Sequence, residues 1–500
     1  MKQSSTFGSV EAFSCSPVPC PALAGCRVLQ VSCGSRHTLA VVAGGQAYSW
    51  GWGACGQLGH GDDHGVATPK VIEALATGKD GAPLGPVTWV SAGGTHSAAV
   101  VKGGCVYTWG GSTYGQLGLG PAVTAQAMQS EPEKVMLSET ESPSSSPRAD
   151  SAAGSTRHSM TQEAAVEAMD SAPKTELLAK MVICGGMHTA ALTEEGVVYC
   201  WGRADSGQLG IGTAWVHETS SGVMGVEWPR RVRGFLEGRR TASIACGGFH
   251  TAAVTTEGEC YTWGKEDHGM LGCSNEALLT GGLFIPHLVS LRHRRDTGSA
   301  VEEHPSSGQK AIAVACGGWH TAVIGEKGGV WTCGRGEYGR LGLGDEKSQW
   351  LPTPVSLEGR CAASPETPVC AAAASSLISE EGILPLDNGG GVFPPEVEVG
   401  LGETQLPPRV PATGAVRRKD PACLVALGGT HSLVLTSSGK VFGFGRLEND
   451  RLGVESDPES VEISTALPIE VTSLQLDGWK VQSISAGGVH SAAILTRQPE

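Results

Sequence analysis

The chain has 500 residues, a net charge of −14, 72 glycines and 16 cysteines. That acidic balance argues against nucleic-acid binding, which needs enough Lys and Arg to displace phosphate counterions. No apolar run reaches the ~18 residues of a membrane span, and the opening MKQSSTFGSVEAF lacks the apolar stretch of a secretory signal.

In chain order, one short pattern recurs. Cys33-Gly34-Ser35-Arg36-His37 closes one apolar run and opens another; Tyr48-Ser49-Trp50-Gly51 and the corner Gly56-Gln57-Leu58-Gly59 follow. The second copy has Gly93-Gly94-Thr95-His96, Val106-Tyr107-Thr108-Trp109-Gly110 and Gly115-Gln116-Leu117-Gly118. The third is complete: Cys184-Gly185-Gly186-Met187-His188, a turn at Glu194-Glu195-Gly196, the β-branched and aromatic run Val197-Val198-Tyr199-Cys200-Trp201, then Gly207-Gln208-Leu209-Gly210. Copies four to six begin at Gly247, Gly317 and Gly428, and the last of these has a worn corner, Asp450-Arg451-Leu452-Gly453. A seventh begins at Gly487-Gly488-Val489-His490 and stops half built. Most copies add a Pro-led run such as Pro69-Lys70-Val71-Ile72 or Pro229-Arg230-Arg231-Val232, which suits an edge strand. Each copy therefore offers four short strands. A unit this small cannot bury its own faces, so the copies must stack, and radial closure leaves few exposed edges. The predicted fold is all-β.

The motifs G-G-x-H-[ST] and V-Y-x-W-G…G-x-L-G resemble those of the regulator of chromosome condensation family. The resemblance covers almost the whole chain and implies a seven-bladed β-propeller of four-stranded blades, one domain over residues 1–500. It also implies that N-terminal residues close the ring by completing the last blade. The segment from about Gly8 to Cys20 is expected to pair with the strands around Val481–Leu495. Two insertions, 137–179 and 358–421, lack hydrophobic periodicity and read as flexible. Within the first, Met160–Asp170 could form a short helix. Both insertions should emerge on the face that carries the turns between second and third strands, opposite the Gly-Gly-x-His and Gly-x-Leu-Gly corners.

No catalytic, cofactor-binding or metal-binding residue is assigned. His37, His96, His188, His250, His320, His431 and His490 occupy one repeat position in seven copies. An active site is normally one asymmetric constellation, so these imidazoles are expected to make backbone hydrogen bonds at the corners. Gly51–Gly56 and Gly334–Gly339 match G-x-G-x-x-G, but neither opens a helix that could hold a pyrophosphate. Cys33, Cys184, Cys246 and Cys316 alternate with Ala and Leu at one small apolar position, and no C-x-x-C pair exists, so reduced thiols are expected. Trp50, Trp109, Trp201 and Trp263 share a position with Cys333 and Phe444 and are expected to pack between blades. Light-sensing members of the family cluster tryptophans on one face. Here the residues before the repeated histidine are Arg36, Thr95, Met187, Phe249, Trp319, Thr430 and Val489, which makes no such array.

The basic clusters at Arg230–Arg233, Arg292–Arg295 and Arg417–Lys419 read as solvated surface. With no hydrolase or P-loop motif, the expected function is a non-catalytic, monomeric, cytoplasmic or nuclear propeller that binds a protein partner. The alternative implied by the resemblance is a guanine-nucleotide exchange factor for a Ran-like small GTPase, which would act by differential binding rather than bond-making. No cofactor, membrane or nucleic-acid partner is expected.

Overall fold

The apolar runs on either side of each Gly-Gly corner pair with each other. In the computed structural model, described over residues 17–77, 83–137, 176–273, 282–291, 309–357, 420–454 and 463–498, the first copy forms β1 (Val28–Cys33), β2 (His37–Val42), β3 (Ala47–Gly51) and β4 (Val66–Val71). These pair antiparallel in sequence order. Five later copies repeat the arrangement, the third adding a short strand His217–Glu218 outside its fourth strand. The final sheet has two described strands, Trp479–Ala486 and Ser491–Arg497. The described residues thus hold six four-stranded blades instead of seven, with a two-stranded sheet in the seventh place. The expected pairing of Gly8–Cys20 with that sheet lies outside the described residues, apart from 17–20, which form no strand. Pro17 nevertheless lies against Gly453, and with Val18 it borders a cavity of about 330 Å³ also lined by Leu433, Ile484 and Ala493.

Two further expectations need correction. The fourth strands begin before their prolines: Val66–Val71 contains Pro69 and Met224–Arg231 contains Pro229. Each proline sits where the register slips, between Ser49/Gly51 and Cys200/Gly202 of the neighbouring strand. A bulge on an outer strand needs no ladder N–H, so the strand runs through the proline. A third long connection, 292–308, also interrupts the repeat and lies outside the described residues, as does Met160–Asp170. The described ends of the first insertion meet, Leu177 N donating to Leu137 O at 2.9 Å, and Ala179 N donates to Gly104 O in the turn between second and third strands. Ala422, after the second insertion, likewise donates to Gly328 O.

Apolar layers lie between blades. Six clusters each join neighbouring sheets, for example Leu39, Val41 and Ile72 with Val90, Ala99 and Trp109. The first strands meet from blade to blade around the axis. The second strands, interior to their sheets and packed against the next blade's first strand, have all six residues buried in each of the first six blades. Crowding explains the alanine pairs there: Ala98 and Ala99, Ala190 and Ala191, Ala252 and Ala253 are fully buried. Between them, the third-strand indoles press on the corner glycine of the preceding blade. A Cβ on Gly118, whose φ is +69°, would lie 2.7 Å from Trp201 Nε1. Trp109 and Trp201 also donate to the Gln57 and Gln116 carbonyls at 2.9 Å.

Two concentric rings of hydrogen bonds close the circle. In the first, the corner after each first strand donates to the next: Ser35 to Gly93 O, Gly94 to Gly185 O, Gly186 to Gly247 O, Gly248 to Gly317 O, Gly318 to Gly428 O, Gly429 to Gly487 O, and Gly488 back to Gly34 O. The second ring joins the seven histidines. His37 Nε2 meets Ser97 Oγ at 2.9 Å, His96 meets Thr189 at 2.9 Å, His188 meets Thr251 at 2.9 Å and His250 meets Thr321 at 2.8 Å. His320 and His431 reach Ser432 and Ser491, and His490 reaches Thr38 of the first blade at 2.9 Å. The partner is therefore a hydroxyl of the neighbouring blade, not the backbone expected from the sequence. Six of these hydroxyls donate onward to a corner carbonyl, Thr189 to Gln116 O at 2.7 Å for example. A hydroxyl whose proton is committed in this way must accept from Nε2–H, which fixes the tautomer.

Burial holds these imidazoles neutral. It lowers His37, His96, His188 and His250 to about 3 and His490 to about 4, and takes His320 and His431 well below their ordinary value. The unfolded chain takes up protons below about pH 6.5 while the folded chain does not. Stability should therefore fall as pH drops from about 6.5 toward 3, by about 1.4 kcal/mol per imidazole for each pH unit. Urea midpoints at pH 7.5 and 5.5 test this: the midpoint should drop sharply, with the imidazole proton resonances still at their neutral positions just before unfolding. Thr189→Val, which is nearly isosteric, strands the His96 Nε2–H and should cost about 2–3 kcal/mol in the same measurement.

Candidate interaction face around the axis

Because the Gly-Gly-x-His corners ring the axis, their variable residues form the centre of one face. The residue leaving each third strand is pinned beside them by a backbone bond. Lys265 N donates to Phe249 O, Arg335 N to Trp319 O and Arg203 N to Met187 O, each at 2.9 Å. This repeat bond brings together side chains far apart in sequence. Phe249 and Trp319, from adjacent blades, lie 4.9 Å apart between ring centres and are tilted by 40°. The Lys265 ammonium stands 4.7 Å from the Trp319 ring centre and 5.4 Å from that of Phe249. The Arg203 guanidinium lies 5.0 Å from Phe249 and 5.2 Å from Tyr114, and Arg335 lies 6.0 Å from Trp319. One blade on, Arg446 lies 4.7 Å from Tyr338. The result is an arc of alternating aromatic rings and cations from blade two to blade six, with both central rings half-buried.

Each cation also holds a carboxylate two residues further on. Arg203 binds Asp205 through Nε and Nη2 (2.6 Å for the latter), Lys265 binds Asp267 at 3.3 Å, Arg335 binds Glu337 at 2.5 Å, and Arg446 binds Glu448. Burial pushes the Asp205 carboxyl up, but the hydrogen bonds and charge of Arg203 outweigh it and leave the group below its ordinary value. These exposed pairs contribute little to stability; they fix where the cations stand.

Beneath the arc, blade four departs from the repeat. Gln57, Gln116 and Gln208 each cap their corner by accepting a backbone N–H, from Cys55, Tyr114 and Ser206. Met270 holds that position in blade four. Glu266 stands in for the missing amide: it accepts from the backbone of Leu271 and Gly269, lies 3.8 Å from Cys273 Sγ, and is raised by burial to about 7. Among the described residues, no His, Cys, Asp or Glu group forms a metal cluster. The thirteen described cysteines are free, and burial raises Cys33 to about 12. The two G-x-G-x-x-G stretches lead into corner turns, Gly334–Gly339 ending in a single 3-10 turn at Glu337–Gly339. In the sequence, the positions before the histidines show Phe249 and Trp319 only singly. The signal that joins them is the residue after the third-strand glycine (Trp52, Gly111, Arg203, Lys265, Arg335, Arg446) and, in the last four of these, the acid two places later.

Comparison with known proteins places this architecture. The model of the regulator of chromosome condensation repeat matches residues 44–100, 103–161, 195–254, 257–324, 327–377 and 438–494. The chain belongs to that family. Within it, the chain is 28% identical over 478 residues to the ultraviolet-B receptor UVR8 of Arabidopsis thaliana, covering 93% of this chain and 86% of that protein. It is 32% identical over 313 residues to the E3 ubiquitin-protein ligase HERC2 of Homo sapiens, where the match covers 59% of this chain and 6% of the relative. A mitochondrial member, RUG3 of Arabidopsis thaliana, is 24% identical over 94% of this chain and 76% of its own length. Among solved structures, human WBSCR16 superposes with a TM-score of 0.61 at 18% identity, covering 94% and 87% of the two chains. Prp20p of Saccharomyces cerevisiae, in a structure described with its binding to Gsp1p and histones, gives 0.59 at 19%, covering 95% and 83%. These two likenesses speak for the fold alone. No described helix is long and apolar enough to cross a membrane.

Proposed function

We propose that the chain is a non-catalytic, monomeric interaction propeller that binds a protein partner through the corner face, in the cytoplasm, the nucleus or both. The aromatic–cation arc carries this reading. Trp, Tyr and Arg dominate the energetics of protein interfaces when they are held in place and partly desolvated. Here Phe249, Trp319, Arg203 and Lys265 are held by backbone bonds, ring contacts and ion pairs before any partner arrives, so little ordering entropy remains to be lost on binding. The histidines are unsuited to acid–base work, being neutral and engaged with the next blade. The insertions 137–179 and 358–421 would add contacts on the opposite face.

Exchange on a Ran-like GTPase is the reading this proposal displaces, and one assay separates them. Release of a fluorescent guanine nucleotide from Ran and related GTPases should be unchanged when the chain is added. Acceleration by orders of magnitude for one of them would establish exchange instead. In parallel, a photo-crosslinking residue at Val489, the exposed variable residue of the neighbouring seventh corner, should capture discrete protein partners in cells. Capture should be lost in the Lys265→Glu variant; its persistence there would remove the arc from the interface.

A further inference from the structure

The chemistry of the arc narrows the kind of partner it fits. Three cations crowd one pair of rings, since Arg203, Lys265 and Arg335 all lie within 6.0 Å of the Phe249 or Trp319 ring centre. Their carboxylates do not saturate them. Lys265 has three N–H donors and Arg335 five, whereas the acids beside them are Asp267 for the first and Glu337 for the second. Below them Arg340 is fully buried and donates to Gly429 O at 3.0 Å, adding a positive charge under the same corner. The nearby buried carboxyl, Glu266, is raised by burial to about 7 and so offsets only part of it at neutral pH. A chain with net charge −14 thus keeps, on one arc of one face, a strip of cations with donors to spare over an aromatic floor.

We propose, resting on the interaction reading above, that this strip docks an acidic peptide segment of the protein partner. Its carboxylates would bridge Lys265, Arg335 and Arg203, and an apolar side chain would lie on the Phe249–Trp319 floor. Aromatic floors flanked by cations also suit single-stranded nucleic acid. A polyanion of that length, however, meets the repulsion of the whole acidic chain, whereas a short acidic segment carries few charges and meets the strip alone.

The test is fluorescence anisotropy of the full chain with three labelled ligands: a peptide alternating Glu with Leu and Gly, the same peptide with Lys for every Glu, and oligo(dT) of equal length. The acidic peptide should bind, the basic one should not, and binding should weaken at least five-fold when salt rises from about 20 to about 300 mM. Trp319→Ala should weaken it at least five-fold. Because Trp319 also packs on Met270 and Leu271, Lys265→Glu and Arg335→Glu serve as surface variants that leave the floor in place and should do the same. Tighter binding of oligo(dT), equal binding of the basic peptide, or self-association by sedimentation that Lys265→Glu abolishes, which would make a second copy the occupant, would each overturn the proposal. If no peptide binds but crosslinking at Val489 still depends on Lys265, the acidic segment is refuted and the interaction face stands; if both are indifferent to Lys265, both readings fall.

Discussion

The histidine–hydroxyl bridge is the constraint on which the rest of this propeller depends. One imidazole, one hydroxyl and one corner carbonyl tie three elements from two blades, and the arrangement recurs around the axis. It works only where the blades approach closely. That closeness explains the alanine pairs of the second strands, the glycines against the indoles, and the glycine at the start of each corner. A Cβ on Gly185 would meet the His188 ring at 2.4 Å and the next corner's carbonyl oxygen at 2.9 Å. The price of such proximity is desolvation, and the imidazoles meet it by staying uncharged.

Much of the architecture was legible because the repeat writes it many times. The four-strand unit, the corner glycines, the small apolar cysteine position and the packing role of the tryptophans follow from residues that recur at fixed offsets. Contacts between copies were less legible. The motif G-G-x-H-[ST] contains both ends of the bridge, His and Ser or Thr, yet as adjacent residues of one blade they cannot touch each other; each pairs with the neighbouring blade's copy. No single copy shows that. In the fourth strands, proline reads as a start in the sequence, whereas an outer strand with a bulge accommodates it inside.

Departures from the repeat were the hardest to read. The strand His217–Glu218 arises in a stretch with no strand periodicity. It is held by tertiary contacts, Ser220 N to Glu227 Oε1 at 3.0 Å and Ser221 Oγ to Thr124 O at 2.8 Å. The candidate face is likewise a product of assembly. Phe249 and Trp319 are separated by a whole repeat, and Lys265 belongs to a position that elsewhere holds Trp52 or Gly111. Only the bond from each third-strand exit to its corner carbonyl reveals that these positions are neighbours. Glu266 standing in for a missing glutamine shows the same dependence, since its role is visible only once the corner it caps has been built.

The bridges are nearly equal, but the layers between blades are not. Six junctions hold a broad apolar cluster, while the junction between the two-stranded sheet and the first blade has, among the described residues, a small one of Leu23, Ala40 and Val42 with partly buried Val28, Tyr48 and Trp50. Thr38 takes the His490 bridge there, and no described corner carbonyl completes it as in the other six. Mechanically the circle is unbroken in its hydrogen bonds, since Gly488 N returns to Gly34 O, His490 to Thr38 and Cys33 N to Ser485 Oγ. A load placed on one blade is therefore passed in both directions around the axis. The face across blades three to five is braced from either side, and a partner seated on it pushes against the whole ring.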